Sequence, residues 1–132
     1  PHLDDGRHIS ITHSYELTAI IISDAPTGID VEMRRDKIQR IAVKFINYER
    51  EFMETQTSKV SPLTVIWGAK ESMYKSLSMK GLGFYDHCKV EPFDMSDGRT
   101  LSRIDFGAIQ KSYDTYFQEI LDYTLVYILP VS

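Results

Sequence analysis

The chain has 132 residues, 42% of them hydrophobic and 26% charged, with a formal net charge of −4. That length and apolar content suffice for one ordinary core, and the acidic balance, with no basic run, argues against a nucleic-acid groove. No apolar run approaches the roughly 18 residues that cross a bilayer, nothing reads as a secretory signal, and the single Cys88 excludes an internal disulfide and fits a reducing, cytoplasmic setting.

In chain order, Pro1-His2-Leu3-Asp4-Asp5-Gly6 reads as the middle of a longer protein and closes on a turn signal. Residues 8–14 alternate, with Ile9 and Ile11 on one face and Ser10 and Thr12 on the other, which predicts a half-buried strand. The β-branched run 19–22 predicts a strand buried on both faces, joined to the first by Tyr15-Glu16-Leu17 as a hairpin. Asp24 to Gly28 turns the chain into a third strand at 29–32. Asp36 is placed to cap a helix carrying Ile38, Ile41, Ala42 and Phe45, and Asn47 a second over 48–55 with Phe52 and Met53 inward. Residues 56–59 are polar and read as a loop. Ser61-Pro62 then opens a long helix to about residue 79, stopped by Gly81, with Leu63, Ile66, Met73 and Leu77 as its buried stripe. The last third reads as strands over 89–93, 102–106, 112–119 and 123–129, with Asp97-Gly98 as a hairpin turn. Strands, then helices, then an antiparallel meander define an α+β domain.

The chemistry concentrates in two stretches. In Gly28-Ile29-Asp30-Val31-Glu32 an extended backbone puts Asp30 and Glu32 on one face, about 6–7 Å apart, with Ile29 and Val31 opposite. Two carboxylates sharing a face need a cation between them. Mg²⁺, which takes one or two carboxylates together with substrate phosphates, is one answer. A salt-bridged edge beside Met33-Arg34-Arg35 is the other. In Trp67-Gly68-Ala69-Lys70-Glu71-Ser72-Met73-Tyr74-Lys75, Glu71 lies at the border of the buried stripe with Lys75 one turn on. Alone, that is an ordinary i,i+4 surface pair. His13 shares parity with Ile9 and Ile11, as a hydrogen-bonded core histidine would.

Taken together, Thr12-His13-Ser14, Gly28 to Glu32, Trp67 to Lys75 and Lys80-Gly81-Leu82-Gly83 resemble, in order and spacing, the 4′-phosphopantetheinyl transferases of the long, two-lobed type. The resemblance covers roughly residues 8–93. It implies transfer of the phosphopantetheine arm of coenzyme A to a serine of an acyl or peptidyl carrier protein, with release of 3′,5′-ADP. It implies Mg²⁺ on Asp30, Glu32 and Glu71, with Glu71 taking the serine proton. It implies Lys75 on the phosphate oxygens, Lys70 near the phosphates or metal, His13 on a coenzyme A phosphate with Thr12 as a lesser contact, and a family glutamate at Glu49. The family's short type begins almost at its G-x-D motif and lacks the Thr-His-Ser strand. The chain therefore resembles the C-terminal lobe of a long-type enzyme whose basic N-terminal lobe is missing, with that lobe or another copy of the chain as its partner. Alone it is expected to have weak activity or none. Two other functions remain: a catalytically silent carrier-binding lobe docking through residues 38–45 and 56–60, and a Mg²⁺-dependent phosphohydrolase using the same carboxylates.

Overall fold

The computed structural model describes residues 2–131, so Pro1 of the expected linker lies outside it. It is an α+β architecture in which a five-stranded antiparallel sheet packs on one long helix, with a separate two-stranded hairpin at one side. The strands are β1 (His8–Ser14), β2 (Leu17–Ser23), β3 (Gly28–Met33), β4 (Cys88–Val90), β5 (Arg99–Phe106), β6 (Ile109–Ile120) and β7 (Tyr123–Pro130). The helices are α1 (Ile38–Ile41), α2 (Arg50–Glu54), α3 (Val60–Leu77) and α4 (Phe84–His87). The large sheet has the order β3-β7-β6-β5-β4, and β1 pairs with β2 in a second, two-stranded sheet.

Most expected elements are present with shifted ends. The first expected helix is one turn of α-helix followed by a 3₁₀ turn at Ala42–Lys44. Asp36 does not cap it: the N-cap is Lys37, with no side-chain bond. The long helix starts at Val60, before Ser61-Pro62, and ends where Ser78 turns left-handed at φ 48°. Asp97-Gly98 is not a two-residue hairpin. Asp94 instead caps a 3₁₀ turn at Met95–Asp97, and Gly98 takes φ 65° beyond it. The short helix α4 is not expected from the sequence pattern.

The larger correction concerns β1 and β2. Three of the hairpin isoleucines do not face the core, whereas Ile21 pairs with Ser10 on the inner face. Ile11, Ile20 and Ile22 are 53%, 57% and 47% exposed, while Ser10 and Thr12 are buried. Register explains this. Ile9 pairs with Ile22 and Ile11 with Ile20, so these four share the outer face. On the inner face the Ser10 hydroxyl accepts from the Ile29 N–H and the Thr12 hydroxyl from the Val31 N–H, each at 3.1 Å. These amides belong to the β3 edge that does not face β7. Two side chains stand in for a sixth strand.

The main core gathers α3 (Leu63, Val65, Ile66, Ala69, Met73), β4 (Cys88, Val90), Ile104, Tyr113, Phe117, Val126 and Ile128, closed at one end by Ile38, Phe45 and Met53. Helix α3 is buried over far more than its expected stripe, because it lies on β3 and β7 while α1 and β4 flank it. Two glycines set its distance from the sheet. A Cβ on Gly28 would fall 1.9 Å from the Ser72 carbonyl oxygen, and one on Gly68 2.6 Å from Val126 Cγ2. Gly28→Ala is therefore expected to force helix and strand apart and to cost about 3 kcal/mol in urea unfolding; an unchanged midpoint would contradict the close approach.

Candidate active site

The β3 strand delivers Asp30 and Glu32 to the α3 side of the sheet, as the alternation requires. Asp30 is 5% exposed. Its Oδ1 lies 3.4 Å from Lys75 Nζ, and its Oδ2 is buried with no hydrogen-bond partner. Opposite Oδ2 is the bare backbone of Gly68, where a Cβ would sit 3.7 Å away. Burial pushes the Asp30 carboxyl up to about 8; the charges of Glu32 and Glu71 push in the same direction and Lys75 opposes them.

Glu32 accepts a 3.0 Å hydrogen bond from Trp67 Nε1. The indole is held edge-on between Phe45 and Phe84, so a rigid donor fixes one oxygen of this carboxylate. This role of Trp67 is not among the sequence expectations. Its place in the motif, one turn before Glu71 on the aromatic side, was the available signal. Glu71 is half-buried on the next turn of α3. Burial raises its pKa, Lys75 lowers it and Glu32 raises it. The three carboxylates thus feel one another, and Lys75 is the cation among them. Lys75 itself is anchored by a 2.8 Å hydrogen bond to the Ile29 carbonyl.

A salt-bridged edge is not what surrounds the pair. Arg34 turns to Glu119 at 3.2 Å and to the carbonyls of Leu121 and Tyr123, and Arg35 stacks on Tyr15. Neither arginine neutralises Asp30 or Glu32.

Other expected site residues lie elsewhere. His13 is exposed on the outer face of β1 beside Ile11, not in a core. Thr12 is buried, with its hydroxyl engaged at Val31. Lys70 is 0% exposed. Its Nζ donates to Glu49 Oε1 at 2.9 Å and to the carbonyls of Phe45 and Phe84, and the second Glu49 oxygen accepts from Val90 N–H at 2.9 Å. Burial lowers the Lys70 pKa against the pull of Glu49. This buried pair ties the loop before α2 to α3, α4 and β4, and it presents no surface to a phosphate. Ser10 does at Ile29 what Thr12 does at Val31.

Among the described residues, no three His, Cys, Asp or Glu side chains are already gathered as a ligand set. The donors nevertheless suit a hard divalent cation: all are carboxylates, two sit on one strand face, and the buried Oδ2 of Asp30 lacks a partner.

The family model described as the 4′-phosphopantetheinyl transferase superfamily matches residues 26–127, and the chain belongs to that superfamily. It is similar to the 4′-phosphopantetheinyl transferase gsp of Aneurinibacillus migulanus, with 35% identity over 89 residues. That match takes in 64% of this chain and 36% of the relative, so the chain spans only about a third of that protein.

Breaking the buried pair with Lys70→Met is expected to cost about 3–5 kcal/mol in urea unfolding, because Glu49 is left buried and uncompensated. Adding Glu49→Gln should restore a large part of the loss. A single variant with wild-type stability would mean that Lys70 is not the structural tie described.

Proposed function

We propose that the chain carries the metal-binding and acid–base half of a 4′-phosphopantetheinyl transfer site, with coenzyme A and an acyl or peptidyl carrier protein as substrates in the cytoplasm. The observation that carries this reading is the partnerless, buried Oδ2 of Asp30, set beside Glu32, Glu71 and Lys75 in a chain of that superfamily.

Asp30, Glu32 and Glu71 would hold Mg²⁺. When bound, the ion would polarise the pyrophosphate and offset charge on the departing phosphate. In the transfer, the carrier serine oxygen bonds to the β-phosphorus and the bridging P–O bond breaks. Its electron pair leaves on 3′,5′-ADP. Glu71 takes the serine proton, a role suited to a carboxyl whose burial raises its pKa. Lys75, steadied by the Ile29 carbonyl, meets the negative charge on the phosphate oxygens. Trp67 holds Glu32 in position. A recess of about 290 Å³ opens on Glu32 between Trp67, Arg35, Ile38 and Ile41, and it gives the carrier segment an approach to the cluster.

We also place this chain as the C-terminal lobe of a two-lobed enzyme. The short span of the relative that it matches supports this. So do the exposed isoleucines of the hairpin, an apolar face of the kind that marks an interaction surface.

Two experiments test the reading. Glu71→Gln in the full-length enzyme, incubated with coenzyme A, Mg²⁺ and an apo carrier protein, should abolish the phosphopantetheine mass gain on the carrier while the fold is kept; near-wild-type turnover would overturn the mechanism. Mg²⁺ at about 100 times its Kd should stabilise the 132-residue chain by roughly 2.7 kcal/mol in thermal unfolding. Asp30→Asn should remove that dependence, and an equal Mg²⁺ response in the variant would place the ion elsewhere.

A further inference from the structure

Two hairpin tips carry bulky side chains where turn chemistry favours Gly, Asn or Asp. The β1–β2 tip holds Tyr15 at φ 49° and the β6–β7 tip holds Leu121 at φ 52°. For side chains of this size the left-handed region costs free energy, and burial does not offset it. Tyr15 is 69% exposed and Leu121 83%, the highest value for a large hydrophobic side chain among the described residues. Consecutive arginines fix both tips. The Arg34 N–H donates to the Asp122 carbonyl at 2.8 Å, and its guanidinium donates to the carbonyls of Leu121 and Tyr123 and to the Thr124 hydroxyl. Arg35 donates to the Tyr15 hydroxyl and lies over that ring, 4.8 Å from its centre. Both tips come to the end of β3 that carries Glu32. Glu32 pairs with Thr124 and Met33 with Tyr123, so the β6–β7 tip extends just past them. Tyr15 lines the recess that opens on Glu32. Apart from Glu32, the charged residues of that recess are Arg35 and Lys37, set beside the apolar Ile38 and Ile41. An exposed apolar side chain on a rigid support suits an interface anchor, because little conformational freedom is lost when a partner covers it.

We infer that Leu121 and Tyr15 are specificity-determining anchors for the protein substrate, covering an apolar patch beside its acceptor serine. Acidic groups at the border of that patch face Arg35 and Lys37, which supply the complementary charge. The inference rests on the transfer reading and adds the residues that select the carrier. It also accounts for a leucine kept at a turn position where asparagine costs less: the side chain gains its contacts only in the complex.

The test uses Leu121→Asn in the full-length enzyme with coenzyme A, Mg²⁺ and an apo carrier protein. Asparagine tolerates the left-handed turn, so the unfolding midpoint should stay the same or rise. The KM for the carrier should nevertheless increase about tenfold, the loss expected for an interface anchor, while kcat and the KM for coenzyme A stay unchanged. Leu121→Met, which restores an apolar side chain, should return the carrier KM to near the wild-type value, and Tyr15→Asn should act in the same direction as Leu121→Asn. An unchanged carrier KM in Leu121→Asn overturns the inference, as does an equal rise in the KM for coenzyme A. Calorimetric titration of the apo carrier into the enzyme without coenzyme A separates the two readings. Carrier binding that weakens about tenfold in Leu121→Asn supports the anchors even if the wild-type enzyme gives no mass gain on the carrier, an outcome that sinks the transfer reading alone. No carrier binding by the wild-type enzyme overturns the anchors.

Discussion

Helix α3 lies on strand β3 with almost nothing between the two backbones, and the candidate site depends on that contact. Gly28 faces the Ser72 carbonyl with no room for a methyl group, and Gly68 lies similarly close to Val126. Ser72 adds a hydrogen bond to the Val126 carbonyl on β7. With the helix at this distance, residues up to two turns apart on α3 can address neighbouring residues of β3. Trp67 reaches Glu32, Gly68 faces Asp30 Oδ2, and Lys75 reaches Ile29 and Asp30. A larger separation would return the carboxylates to solvent. The raised pKa values of Asp30 and Glu71 follow from the same proximity, since both have burial as their leading cause.

A second constraint holds the helix against rotation. Lys70 precedes Glu71 in sequence and points into the protein, where Glu49 and two carbonyls take its ammonium. A buried charge of this kind does little for net stability, but it tolerates few alternative arrangements. While Lys70 is held inward, Glu71 is held about 100° around the helix, toward the carboxylates of β3. The adjacent lysine and glutamate of the motif thus divide the work, one orienting the helix and the other facing the cluster.

Much of this was legible in the sequence where one residue type has one good place. The alternation in Gly28 to Glu32 put both carboxylates on one face, and the expected start at Ser61-Pro62 and end near residue 79 fall within two residues of the ends of α3. What escaped were choices made by tertiary context. Ser10 and Thr12 look like the solvent side of a strand, and only the β3 edge makes them the buried side. Lys70 looks like a phosphate ligand when the motif is read linearly, and only the position of Glu49, brought in by the loop before α2, turns it inward. Asp36 lost its capping role because α1 is a single turn started by Lys37. The isoleucines misled for a related reason: periodicity tells which residues share a face, and not which face is covered.

The hydroxyl seam between β1 and β3 has a consequence for how the protein survives in solution. A strand at the border of a sheet presents a row of open amides and carbonyls on which other chains can polymerise. Here the outward amides at Ile29 and Val31 are occupied by Ser10 and Thr12, and the Ile29 carbonyl by Lys75. The opposite border, β4, is only three residues long. The sheet is thus closed to edge-on growth at both ends. On the β3 side, the side chains that close it leave the backbone of the hairpin free to pair within its own small sheet.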